Sequence, residues 1–151
     1  MATTYVFYDG SITGQMVPPK HTPEEDEMFI LRNIVDCSKQ TLDAGEGDVG
    51  QVLSIPAGTT VIACWLRTIT AETASGTVDL GYGDSVNAWG DALAVDTAAG
   101  GILGATHDWV PIYFEDADII DVTATADTSD VDIDGAKFEV TAVCLKALDT
   151  Y

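Results

Sequence analysis

The sequence predicts an all-β protein: a jelly-roll-like β-sandwich of about eight strands with a long acidic loop. Two observations carry that reading. Apolar and polar residues alternate over short runs separated by turn signals, the two-residue period of half-buried strands. The acids are also of the turn-forming kind, with Asp supplying 18 of the 25 acidic residues and Glu 7. Asp favours turns and caps, whereas Glu favours helix interiors. Abundant Thr and Val add to the strand bias.

The elements follow in order. Residues 3–8 are β-formers that end at the turn dipeptide Asp9-Gly10. Residues 10–28 change character, because Pro18, Pro19 and Pro23 bar a central strand. Thr22-Pro23-Glu24-Glu25 has the form of a helix start, with Thr as N-cap and Pro at the first helical position. One or two helical turns and an extended arm are equally compatible with it. Residues 1–28 therefore read as an N-terminal strand and extended arm, and residues 29–151 as the sandwich.

Phe29 to Val35 reads as a strand, Asp43 to Gly50 as a loop, and Val52 to Ile55 as a strand stopped by Pro56-Ala57-Gly58. Thr59 to Thr70 is the longest β-like run. Val61, Ala63, Trp65 and Ile69 fall on one of its faces and Ile62, Cys64 and Leu66 on the other, with Trp65 expected in the core. A strand apolar on both sides is central to a two-layer stack or lies against a partner subunit. Thr77 to Tyr82 alternates cleanly. Gly83 to Ala105 has no steady period and reads as the long acidic loop, with a short helix near Asp91–Ala98. Val110 to Phe114 is a short strand, Asp118 to Thr125 alternates, and Asp134-Gly135 is a hairpin signal before the last strand, Ala136 to Leu145.

A chain of 151 residues is one domain's worth and long enough to bury a core. Six Lys+Arg against 25 Asp+Glu give a formal charge of −19. Phosphate binding needs a basic surface, so nucleic acid is excluded as a partner, and so is an anionic membrane. With 46% hydrophobic residues and a mean hydropathy of +0.15, the chain is too apolar for a solvated acidic tail. No apolar run is long enough to span a bilayer. Met1 to Tyr5 lacks the charged start and apolar stretch of a signal peptide, and the cysteine count is odd (Cys37, Cys64 and Cys144). The expectation is a protein made in a reducing cytoplasm, its thiols serving as small buried hydrophobes.

Candidate chemistry is sparse. Asp130-Val131-Asp132-Ile133-Asp134-Gly135 matches the opening of a calcium loop, but the closing twelfth position is Thr141 instead of Glu. It reads as a solvent-facing Asp row alternating with inward Val131 and Ile133. Gly81-x-Gly83 lacks the third glycine of a dinucleotide loop, and no nucleophile elbow is present. Ser85, His107 and Asp84 form a triad only on paper, since any acidic chain permits such a drawing. Trp65, Trp89 and Trp109 raise the alternative of a sugar-binding face. The expectation is a protein that is not an enzyme, with no cofactor and no metal.

From Asp48 onward the chain resembles small bacteriophage capsid decoration, cement or head proteins with a jelly-roll-like fold. The likeness is carried by Val52-Leu53-Ser54-Ile55-Pro56-Ala57-Gly58-Thr59-Thr60, then Thr68-Ile69-Thr70-Ala71-Glu72. Thr77-Val78-Asp79-Leu80-Gly81-Tyr82-Gly83-Asp84 follows, with Trp89 just beyond, then Asp118-Ile119-Ile120-Asp121-Val122 and the last strand to Leu145. The resemblance implies a structural virion protein on the outer capsid surface that binds and stabilises the shell. It is made in the host cytoplasm, has the phage's major capsid protein as its partner, and carries no catalytic residues. It also suggests a homotrimer, which the two-sided apolar run Val61–Ile69 supports. Contact residues are expected in the irregular parts: Met16, Pro18, Pro19, His21, Trp89 and Trp109. The alternatives are a carbohydrate-binding β-sandwich module and a tail- or fibre-associated virion domain.

Overall fold

A computed structural model describes residues 4–6, 28–83, 85–96, 102–103, 111–125 and 132–146. The described residues form ten strands and no helix: β1 (Thr4–Val6), β2 (Met28–Asp36), β3 (Val49–Ile55), β4 (Thr59–Thr70), β5 (Thr77–Tyr82), β6 (Ser85–Ala94), β7 (Ile102–Leu103), β8 (Ile112–Phe114), β9 (Asp118–Thr125) and β10 (Lys137–Lys146). One sheet has the order β1-β3-β9-β5-β6; the other runs β2-β10-β4-β7, with β8 also pairing β4.

This order is that of a jelly roll. Successive strands alternate between the two sheets, except in the β5–β6 hairpin and between β7 and β8. β7 pairs with Leu66 and Arg67, and β8 with Thr59 to Val61, so the two short pieces together fill one strand's place beside β4. With β1 set aside as a short parallel partner of β3, eight positions remain, the number expected from sequence, although that expectation counted residues 3–8 and left out β6.

Alternation along each strand builds the core. Phe29, Leu31 and Val35 of β2 point inward with Phe138, Val140, Ala142 and Cys144 of β10. They meet Leu53 and Ile55 of β3, Ile120, Val122 and Ala124 of β9, and Val78 and Leu80 of β5. Asn33 shares the inward parity and is buried. Its Nδ2 donates to the Val52 carbonyl at 3.0 Å, linking the sheets at the residue that the β3–β9 register skips. The three thiols are free and buried, and burial pushes Cys37 and Cys144 up to about 12. They serve as small hydrophobes, as expected.

Four expectations are corrected. Ser85–Ala94, within the segment read as a long acidic loop, is strand β6; its period is hidden because the β5–β6 register shifts twice. The helix near Asp91–Ala98 is strand through Ala94 and turn at Val95–Asp96, with Thr97 and Ala98 outside the described residues. Asp134-Gly135 does not close a hairpin, because β9 and β10 lie in different sheets. The faces of β4 change phase at a register shift between Val143 and Cys144 of its partner β10. Val61 therefore lies inward with Cys64 and Leu66, while Ala63 and Trp65 lie half-buried on the outer face.

Candidate functional site

The turn read as a calcium-loop opening is organised around an anion. Glu72, in the β4–β5 connection, is 4% exposed. Its Oε2 accepts the backbone N–H groups of Asp134 at 3.1 Å, Gly135 at 2.8 Å and Ala136 at 2.9 Å. Its Oε1 accepts the Thr73 N–H at 2.8 Å. Burial alone would push this carboxyl up. The N–H donors of Gly135, Thr73, Ala136 and Ala74 outweigh it and hold the group below its ordinary value. The turn thus forms a small nest of amides filled by the chain's own carboxylate. Ile133 exchanges backbone hydrogen bonds with Leu42, and Asp132 and Asp134 face solvent. Among the described residues no group of three or more His, Cys, Asp or Glu is placed to hold a metal ion.

The aromatic candidates separate. Trp89, expected as a partner contact, is 5% exposed. Its ring packs with Tyr82 at 5.8 Å and Phe114 at 6.5 Å between centroids, so it anchors the sandwich from inside. Trp65, expected in the core, lies on the outer face of the other sheet. The described tryptophans therefore share no face. Met16, Pro18, Pro19, His21 and Trp109 lie outside the described residues, as do Asp84 and His107 of the paper triad.

The two outer faces differ in charge. Strands β3, β5, β6 and β9 carry Asp79, Asp91, Asp118 and Asp121 and no Lys or Arg. Asp79 Oδ1 accepts the Ala92 N–H at 2.8 Å, yet burial and the neighbouring Asp91 hold its carboxyl above the ordinary value. Burial, with Asp118 adding, pushes Asp121 up to about 7. On the other sheet, Arg32 and Arg67 bracket Glu139 at 3.6 and 3.4 Å, and Lys39 and Lys137 bracket Asp36 at 3.8 and 3.4 Å.

Two solved structures share this fold. One is the capsid of Ralstonia phage GP4, with a TM-score of 0.65 and 16% identity, covering 97% of this chain and 100% of that one. The other is the capsid asymmetric unit of cyanophage Pam1, with a TM-score of 0.55 and 13% identity, covering 90% of this chain and 98% of that one. No family model and no curated protein matches the chain. At these identities the likeness is one of fold, and it extends over nearly the whole of each chain.

Sequence reasoning did not single out the ion clusters or the exposed apolar residues of the β2–β10–β4 sheet. A signal was present in the strand Phe29–Val35, whose outward positions hold Ile30 and Ile34 around Arg32.

Proposed function

We propose that this chain is a structural virion protein that binds the outer surface of a phage capsid and stabilises it, acting as a decoration or cement protein without catalytic activity. Its partner is the phage's major capsid protein, and its form is a homotrimer assembled after synthesis in the host cytoplasm. The observation that carries the reading is the end-to-end correspondence of fold with chains from two phage capsids.

The physics agrees with it. A charge of −19 suits an exterior that must resist aggregation and has no genome to hold. A protein that binds only the assembled shell stabilises it by mass action, and many symmetric copies add up even when each contact is weak. Met16, Pro18, Pro19, His21 and Trp109 remain the proposed shell contacts; Trp89, being buried, does not. A cryo-electron-microscopy map of the phage particle tests the reading. The expected result is density for this chain at symmetric positions outside the shell. Density inside against the genome, or absence from the particle, overturns it.

A further inference from the structure

The outer face of the β2–β10–β4–β8 surface can be read row by row from the register. Met28, Leu145, Thr60 and Tyr113 are successive cross-strand partners, and the next row is Ile30, Val143 and Ala63. Met28 is 64% exposed, Ile30 60%, Tyr113 58% and Leu145 37%. Four of the five exposed large hydrophobics among the described residues thus lie on this one face, Val86 being the fifth. Arg32, Thr141 and Trp65 follow, then Ile34, Glu139 and Arg67, then Asp36, Lys137 and Thr70.

The face is polarised along the strands. At the far end each carboxylate is bracketed by two cations, Arg32 and Arg67 about Glu139, Lys39 and Lys137 about Asp36. Both clusters hold surplus positive charge, on a chain whose net charge is −19. At the near end β8 runs on from Tyr113 and Phe114 into the exposed Glu115 and Asp116. Lys146 is also at that end, tied to the Ala57 carbonyl at 3.1 Å. An apolar centre therefore separates a basic end from an acidic one.

Such a face complements itself when the ends are crossed. We infer that this face is where copies of the chain meet, apolar rows packed together and the basic end of one copy set against the acidic end of the next. A face packed on its own copy closes as a two-fold pair; it is a different interface from that of the homotrimer proposed above, and it rests on that reading only in taking the chain to self-associate. Among the described strands, a contact through the β3–β9–β5–β6 sheet instead sets Asp79, Asp91 and Asp121 against their own copies. Four strands about 4.8 Å apart and nine residues of about 3.3 Å give a face on the order of 500 Å² per copy, below the roughly 800 Å² of a standard interface. The association is accordingly weak in free solution.

Sedimentation velocity on the full chain, from about 5 to about 500 µM, tests this, since small interfaces need high concentration. The expected result is a concentration-dependent species heavier than the 15.9 kDa monomer. Ile30→Asp, on an exposed position, should weaken association by at least about tenfold with an unchanged circular dichroism spectrum. Arg67→Glu and Asp116→Lys should each weaken it, and mixing the two should restore it, because the exchanged charges then meet. A monomer throughout the range overturns the inference, as does an oligomer indifferent to Ile30→Asp or a mixture that fails to recover. If the wild type stays monomeric while Ile30→Asp abolishes attachment to phage shells, the face belongs to the shell. In that outcome this inference falls and the virion reading stands.

Discussion

Gly135 donates its backbone N–H to Oε2 of Glu72 across 2.8 Å, joining two connections 63 residues apart in the chain. A Cβ on Gly135 would stand 3.1 Å from Oε1 of the same carboxylate, so the residue that donates also leaves room for the acceptor. One buried side chain thereby fixes the β4–β5 connection to the entry of β10.

Removing that carboxylate strands four backbone donors, those of Thr73, Asp134, Gly135 and Ala136. Glu72→Ala should cost about 3 kcal/mol, the range expected when a charged acceptor leaves buried N–H groups unpaired. Glu72→Gln keeps the shape and should cost less. The folded carboxyl lies below its ordinary 4.5. Its stabilisation is therefore complete above that value and is lost as pH falls through the folded value. Urea denaturation at pH 7 and pH 3.5 should show wild type losing more stability on acidification than Glu72→Gln.

Asp121 should behave in the opposite sense. Burial, with Asp118 adding, pushes it up to about 7 from 3.8, and its Oδ1 has no hydrogen-bond partner among the described residues. As pH rises from about 4 to about 7, the unfolded chain ionises this group and the folded chain resists. Asp121→Asn should therefore stabilise the protein at pH 8 and leave it little changed at pH 4. Discounted for partial exposure, the gain is about 1 kcal/mol. Carboxyl titration by NMR should find Asp121 losing its proton near neutrality.

Ala92 stands at φ 47, in the left-handed region, with its N–H donated to Asp79. A side chain in that region costs about 1–2 kcal/mol, part of which glycine returns as backbone entropy. Ala92→Gly should keep the thermal midpoint or raise it by a few degrees. Ala92→Val, β-branched at the same angle, should lower it clearly. A midpoint lowered by Gly would mean that the Asp79–Ala92 bond does not set this conformation.

Much of the fold was legible because strand period and burial coincide. Phe138, Val140, Ala142 and Cys144 alternate in the sequence and are all fully buried. The parts that were not legible break that period. β6 carries Ala92 in the left-handed region and two register shifts, which erase the alternation. Irregular pairing likewise moved Val61 to the inner face and left Trp65 outside. The Glu72 nest had no sequence signal, since its donors are main-chain groups that any residues supply. The polarised face was visible only in part, because β2, β10, β4 and β8 come together through pairing that no local pattern encodes.

Gly81 shows how an irregular strand constrains a residue that belongs to no motif. The β5–β6 pairing runs from Tyr82↔Ser85 to Leu80↔Gly90, so β6 spends four residues where β5 spends one. Ser85 and Val86 lie across the outer face of β5 at Gly81. A Cβ on Gly81 would meet the Ser85 carbonyl oxygen at 2.1 Å and the Val86 carbonyl carbon at 2.3 Å. These are backbone atoms, which cannot swing aside as a flexible side chain can. Gly81 is also the cross-strand partner of Asp121, so the same excursion lies beside that half-buried carboxyl. Gly81→Ala should therefore cost several kcal/mol, above the roughly 1–3 of ordinary overpacking. It should also push the Ser85–Val86 excursion outward and bring the Asp121 titration back toward the ordinary carboxylate range. Denaturation midpoints and an NMR titration of the variant read the two effects independently. A variant as stable as wild type, with Asp121 still titrating near neutrality, would mean that the Ser85–Val86 backbone does not lie over Gly81.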